Sequence, residues 1–310
     1  MFKELPAAME PDDGSGHKAG RRGAVRYLQD EAAPRAARMV LGNALRFCRE
    51  AAGLSAGQAA RQLGGSPSKV SRIESGTTAA KERDLLKFFE MYSIADAERG
   101  HLLELAAAAH QLAWWHEWSA ITPKYLQAVV SFEDMATRVM SYEPTYLHGL
   151  LQTSEYARAL IGRGRSAEST HDVLARFRAQ RLERFANAPD KKLMCIVDES
   201  ALLRPIGSPA IMRRQLEHLM KLMSHPRIKL LLAPLNDYSV HVEIGPTTIF
   251  DFTGRVLPTI VYTEGYEGGL VIEDEEMVDR RKKAFDALAT RSLDSHAMRR
   301  RLQHLADRYK

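Results

Sequence analysis

At 310 residues, with 45% hydrophobic and 27% charged side chains, the chain is long enough for two globular domains that each bury a core. Its 44 Lys and Arg against 39 Asp and Glu leave a formal charge of +5, which suits a nucleic-acid partner without establishing one. Two distant cysteines, Cys48 and Cys195, exclude a disulfide framework and a cysteine-based zinc site; no apolar run reaches the ~18–20 residues of a membrane helix, and the N-terminus lacks an apolar signal block, so a cytoplasmic protein without membrane contact is expected.

Residues 1–37 mix Pro, Gly, Ala and charges without a sustained period and read as a mobile leader. Its basic cluster, Lys18, Arg21, Arg22 and Arg26, could follow phosphates or enter a minor groove; a solvated tail is the plainer reading. From Met39 to Ala52, Val40, Leu41, Leu45 and Phe47/Cys48 recur at helical spacing, and Gly53 ends the helix.

The stretch Leu54–Gly76 then has a physical cause at each boundary. Ser55 and Gln58 form a capping box at the start of a helix that closes at Gly64-Gly65. Ser66 caps a second helix with Pro67 at its first position. Ala60 is small enough for a close helix crossing, with Leu63, Val70 and Ile73 behind it. The opposite face carries Ser68, Lys69, Ser71 and Arg72. This is the spacing of a helix-turn-helix whose second helix enters the major groove of duplex DNA. A plain helical hairpin with a polar outer face is the alternative, but it leaves the joint match of caps, turn, small residue and basic face unexplained. The expected DNA-contacting set is Ser66, Pro67, Ser68, Lys69, Ser71 and Arg72, with Arg72 best suited to a guanine edge. After the linker TTAAKE, Leu85, Leu86, Phe88, Phe89 and Tyr92 mark a fourth helix, and Asp96 to about Leu112 a fifth. Residues 38–112 thus form an all-α domain of five helices.

The segment S-P-S-K-V-S-R-I-E-S-G resembles the recognition helix of the Xre-type repressors, relatives of the lambda repressor and Cro class. The resemblance implies a structural ion pair between Arg49 and Glu74 that fixes the recognition helix; two unrelated surface charges are the alternative. Many such domains carry Gln at the start of the second helix to reach a phosphate, which Ala56 cannot do.

The three tryptophans of WWHEW, residues 114–118, mark the domain change. They are too large an apolar load for a free linker, and pin the second domain either against the first or onto its own first helix. Residues 113–310 read as an α+β regulatory, partner-binding and dimerisation domain. Helices fit 131–142, 153–162, 168–187, 209–224, 273–290 and 293–309. Strands fit 193–197, 228–233, 247–252 and 260–262, giving a small mixed sheet with helices on one face. Met298, Leu302, Leu305 and Tyr309 form a stripe on the last helix, either a core face or a docking face for a subunit or partner.

GLLQTSEYARALI, RFRAQRLERF, VDESALLRPIGSPAIMRRQLEHL and VYTEG resemble, in order, landmarks of a large actinobacterial group of antitoxin-like transcriptional regulators. Its members join an Xre-type N-terminus to a C-terminal domain of undefined biochemistry, and many are encoded beside a very small protein. The resemblance therefore implies a sequence-specific regulator modulated by a small protein partner or a ligand and acting as a homodimer. The alternative within it is an antitoxin-type protein whose main role is holding that partner, with DNA binding for autoregulation. His148 stands where the group commonly has Pro before Gly-Leu-Leu-Gln-Thr, and Asn236-Asp237-Tyr238-Ser239 replaces a short glycine-containing turn.

No phosphate loop, HExxH or paired CxxC is present, so neither enzyme activity nor a cofactor or metal is expected. Gly162–Ser166 reads as a basic loop, and the acids 273–276 as a helix start favoured by the macrodipole. His101, His110, His218 and His225 lack metal spacing; one or two could line a ligand pocket.

Overall fold

A computed structural model describes residues 25–28, 36–109, 113–164, 166–237, 244–265 and 268–309. A short strand, β1 (Val25–Leu28), precedes five helices: α1 (Ala36–Ala51), α2 (Ala56–Leu63), α3 (Pro67–Glu74), α4 (Glu82–Met91) and α5 (Asp96–Ala108). Met39, Val40 and Leu45 of α1, Ala60 and Leu63 of α2, Val70 and Ile73 of α3, Phe88 and Phe89 of α4 and Leu102 of α5 close one core. Helix α1 begins at Ala36 with Ala36 and Ala37 buried, inside the expected leader.

The leader expectation over 1–37 is corrected further by β1, which pairs antiparallel along Val25↔Ile272 to Leu28↔Gly269. A four-residue strand has too few residues to show a period, and its partner lies near the other end of the chain. Lys18, Arg21 and Arg22 lie outside the described residues, and the backbone of Arg26 belongs to the sheet.

The second half contributes α6 (Lys124–Met135), β2 (Arg138–Glu143), α7 (Ser154–Ile161), α8 (His171–Asn187), β3 (Lys192–Asp198), α9 (Glu199–Leu203), α10 (Pro209–Leu222), β4 (Ile228–Ala233), β5 (Thr247–Asp251), β6 (Ile260–Gly265), β7 (Gly268–Ile272), α11 (Glu275–Arg291) and α12 (Ser295–Asp307). With β1 these strands form one mixed sheet in the order β1-β7-β6-β5-β2-β3-β4, parallel across β2-β3-β4 and antiparallel elsewhere. The expected helix over 131–142 is instead the end of α6 followed by β2. Strand β2 is central and buried on both faces, so its apolar run carries no alternation to betray it. Strand β7 escapes notice because its two leading glycines lower strand propensity.

Helices on one face is also corrected. Val139, Cys195, Leu230 and Phe250 pack under α6, α7, α8, α10 and α12, while Met140, Ile196, Ile249 and Val261 pack on Val278, Phe285 and Leu288 of α11. The stripe on α12 is mostly core: Met298, Leu302 and Leu305 are buried where α12 lies against α10 and β4, and Tyr309 is partly buried against the same core. Trp114 and Trp118 pack on Phe177 of α8 at 5.7 and 5.2 Å between ring centroids, so the tryptophans fasten the second domain's own helix. The domains still share a core, since α6 packs against α1. Glu98 of α5 adds a bond by accepting the Arg255 N–H at 3.1 Å.

Candidate nucleic-acid interface

The capping chemistry that shapes α2 and α3 is complete. The Ser55 hydroxyl accepts the Gln58 N–H at 3.2 Å and the Gln58 side chain accepts the Ser55 N–H at 2.8 Å. Helix α2 closes on Gly64 in the left-handed region, φ 72°, with the Gly65 N–H bonded to the Ala60 carbonyl, as in a Schellman end. The Ser66 hydroxyl accepts the Lys69 N–H at 3.2 Å, and Pro67 occupies the first helical position. Val70 and Ile73 then face the core and α3 keeps one side in solvent.

Two contacts set where that side points. Arg49 of α1 donates from Nε to Glu74 Oε1 at 2.7 Å and from Nη2 to Oε2 at 3.0 Å, while its Nη1 donates to the Leu54 carbonyl at 2.7 Å. Arg49 and Glu74 are both buried, and the Glu74 carboxylate holds the guanidinium above its ordinary range. Beside this pair, a Cβ at Gly42 would fall 2.5 Å from the Ile73 and Glu74 carbonyl oxygens, so α1 and α3 touch backbone to backbone. A two-bond ion pair is directional, and with a contact that tolerates no side chain it fixes α3 in both orientation and depth.

The six residues read as DNA-contacting fall into two groups. Pro67, Ser68, Ser71 and Arg72 are exposed, and the Arg72 guanidinium meets no partner among the described residues. Ser66 is exposed but uses its hydroxyl as the cap. Lys69 turns toward α4, its Nζ 2.8 Å from Asp84 Oδ2, so its charge is already engaged. Sequence reasoning missed Asp84 and Gly42. Nothing local marks Asp84, but a glycine inside the apolar helical pattern of α1 is itself a sign of close packing.

The arrangement presents a short helix, rigidly held from behind, with small hydroxyls and one free arginine outward. It defines a helix-turn-helix protein, the class in which such a helix is laid into the major groove. Residues 40–102 match the helix-turn-helix domain family, and residues 126–304 match the domain of unknown function DUF5753. With more than half of its length in that match, the chain belongs to the DUF5753 family. No curated protein matches the chain. Among solved structures, that of the clp gene regulator ClgR from C. glutamicum aligns at 25% identity over 25% of this chain and 96% of that chain, with a TM-score of 0.20.

Of the histidines considered as pocket residues, His110 lies outside the described residues. His148, which was not among them, lines a recess of the second domain. Its backbone, φ −53°, is one that proline adopts, and its Nδ1 accepts the Leu150 N–H at 3.3 Å. The turn is therefore kept without the proline. The stretch from Tyr238 of the replaced glycine turn lies outside the described residues. Asp274 caps α11 by accepting the Met277 N–H at 3.0 Å, which accounts for part of the acidic run. Among the described residues, no helix is long and apolar enough to cross a membrane.

Proposed function

We propose that the chain is a sequence-specific, non-enzymatic transcriptional regulator of the Xre type that reads operator DNA with α3, its occupancy governed through the DUF5753 domain. The observation that carries this reading is the exposed Arg72, unpartnered among the described residues, beside Ser68 and Ser71 on a helix fixed by Arg49 and Glu74. Arg72 has the donor fork that fits guanine O6 and N7, and the two serines suit base edges or phosphates. The first turn of α3 adds the backbone N–H of Ser68, which favours a phosphate.

One α3 reaches only a few base pairs, so useful selectivity calls for two chains on half-sites about one helical turn apart. Residues 113–310 supply that pairing and dock a small protein encoded nearby, in the manner of the actinobacterial antitoxin-like regulators. The shared core of α1 and α6 supports this reading by giving the second domain a packed route to the back of α3.

The test is selection of bound duplexes from a random pool by the full chain. The expected result is an inverted repeat, with affinity falling as salt rises. Arg72→Ala should lose roughly 1–3 kcal/mol and relax preference at one position per half-site. A pool that shows no enriched sequence, or an unchanged motif with Arg72→Ala, sinks the reading.

A further inference from the structure

Between α6, α8 and the sheet lies an open recess of about 300 Å³, a volume in the range of small-molecule sites. It sits at the C-terminal end of β2, where parallel pairing with β3 gives way to antiparallel pairing with β5. Changes of strand order at such ends leave crevices that other sheets use for ligands. Its floor is one face of three neighbouring strands. Ser141, Thr248 and Tyr262 lie side by side in register, and two residues further along β2 and β6 come Glu143 and Glu264. Adjacent strands are ~4.8 Å apart, so the two carboxylates rise from strands about 10 Å apart.

The charged groups of the recess are unequally partnered. Arg181 is neutralised by Glu133 through two bonds of 3.0 and 2.6 Å. Arg178 donates from Nη1 to Gln152 Oε1 at 2.6 Å and is the remaining cation on the wall. Glu143, partly buried, and Glu264, exposed, make no hydrogen bond or close ion pair among the described residues, although Glu264 lies in the field of Arg178. Tyr262 is only 3% exposed, yet its hydroxyl has no partner among the described residues. A Cβ at Gly269 would fall 2.1 Å from the Tyr262 ring, so the ring lies where only glycine admits it. A buried hydroxyl, a partly buried carboxylate and an exposed one, all without a bonded partner among the described residues, line this one recess and are groups that a bound ligand would engage.

We infer that this recess binds a small organic amine, its ammonium held by Glu143 and Glu264 and its body packed against the tyrosines. An ammonium donates to both carboxylates and favours their ionised forms, and the electron-rich faces of Tyr125 and Tyr262 favour a cation. Burial and the neighbouring Glu264 carboxylate push Glu143 up to about 8, and burial raises Glu264 against the pull of Arg178 and Arg181. Glu143, the more enclosed of the two, is thus held toward the neutral form until a cation joins it. A carboxylate ligand would meet the same two groups as like charges. The inference gives a ligand class to the regulatory domain of the proposed function and rests on that reading only for its effect on DNA.

The test is calorimetric titration of the full chain with tyramine, cadaverine and agmatine. Tyrosol and hydroxyphenylacetate serve as the neutral and anionic counterparts of tyramine. At least one amine should saturate one site per chain, while the two counterparts do not. Glu143→Gln and Glu264→Gln should each weaken that binding roughly ten- to hundredfold, as loss of a charged hydrogen bond does. Thermal unfolding of both Gln variants checks that they remain folded, and Tyr262→Phe provides a third, nearly isosteric variant. Binding of hydroxyphenylacetate as tight as that of the amine overturns the inference. So do amine binding indifferent to both Gln substitutions and the absence of binding by every amine at about 10 mM. Arg72→Ala must retain full amine binding; if that variant and the wild type both bind amine but select no DNA, the reading of α3 fails and this one stands.

Discussion

Lys69 and Asp84 form an ion pair, 2.8 Å from Nζ to Oδ2, that ties the outer side of α3 to the first turn of α4. Asp84 is buried whereas Lys69 is half-exposed, so the lysine serves the fold before it serves DNA. Lys69 and Arg72 therefore have different expected phenotypes. Lys69→Ala should destabilise the chain by about 1–2 kcal/mol, because it leaves a buried carboxylate with only a distant Arg83 at 3.8 Å. Arg72→Ala should leave thermal unfolding unchanged and weaken DNA binding alone. Equal melting temperatures for both variants would show that the pair carries no stability.

The Arg49–Glu74 bridge predicts strong coupling. Removing either partner strands a buried charge, at a cost of about 3–5 kcal/mol, and removing both should cost far less than the sum. A double-mutant cycle in denaturant unfolding measures this directly. Additive single losses would mean that the two residues act independently.

Gly42→Ala is the smallest change expected to disturb α3. The new methyl would sit 2.5 Å from two backbone carbonyl oxygens, which cannot rotate away as a side chain would. Helix α3 must shift, with a stability loss of about 1–3 kcal/mol and a larger fractional loss of operator affinity. Gly57→Ala, with no non-neighbour atom nearer than 3.9 Å, is the control and should be neutral or slightly stabilising. Identical behaviour of the two variants would show that the close approach is not real.

His148 predicts an acid-sensitive step. Burial, opposed by Glu133 and helped by Arg181 and Arg178, pulls its imidazole down to about 4. Unfolded, it returns to roughly 6.5, so between those values the unfolded chain binds more protons than the native one. Its contribution to stability is therefore intact above about pH 6.5 and is lost as the pH falls toward 4, by ~1–3 kcal/mol in total. His148→Pro fits the backbone at φ −53° and should keep the fold at pH 7.5 while flattening the slope between about pH 6.5 and 4. An unchanged slope in melting temperature against pH would place the acid sensitivity elsewhere.

The residues alone determine the helix-turn-helix, because its signals are local. Ser55 with Gln58, Gly64, and Ser66 with Pro67 each act on bonds within five residues, so caps and turn can be read without a fold. The outward set around Arg72 follows from the same helical spacing. Tertiary structure alone decided what depends on distant partners. It turned Lys69 toward Asp84, exposed Gly42 as the point where two backbones meet, and made a strand of residues 138–143 by placing them at the centre of a sheet. It also drew Gln152, Arg178 and Glu264, from three separate stretches, to one recess that exists only when they stand side by side. Capping and periodicity act along the chain and are written in it; charge matching and close packing act across it, and exist only once the chain has folded.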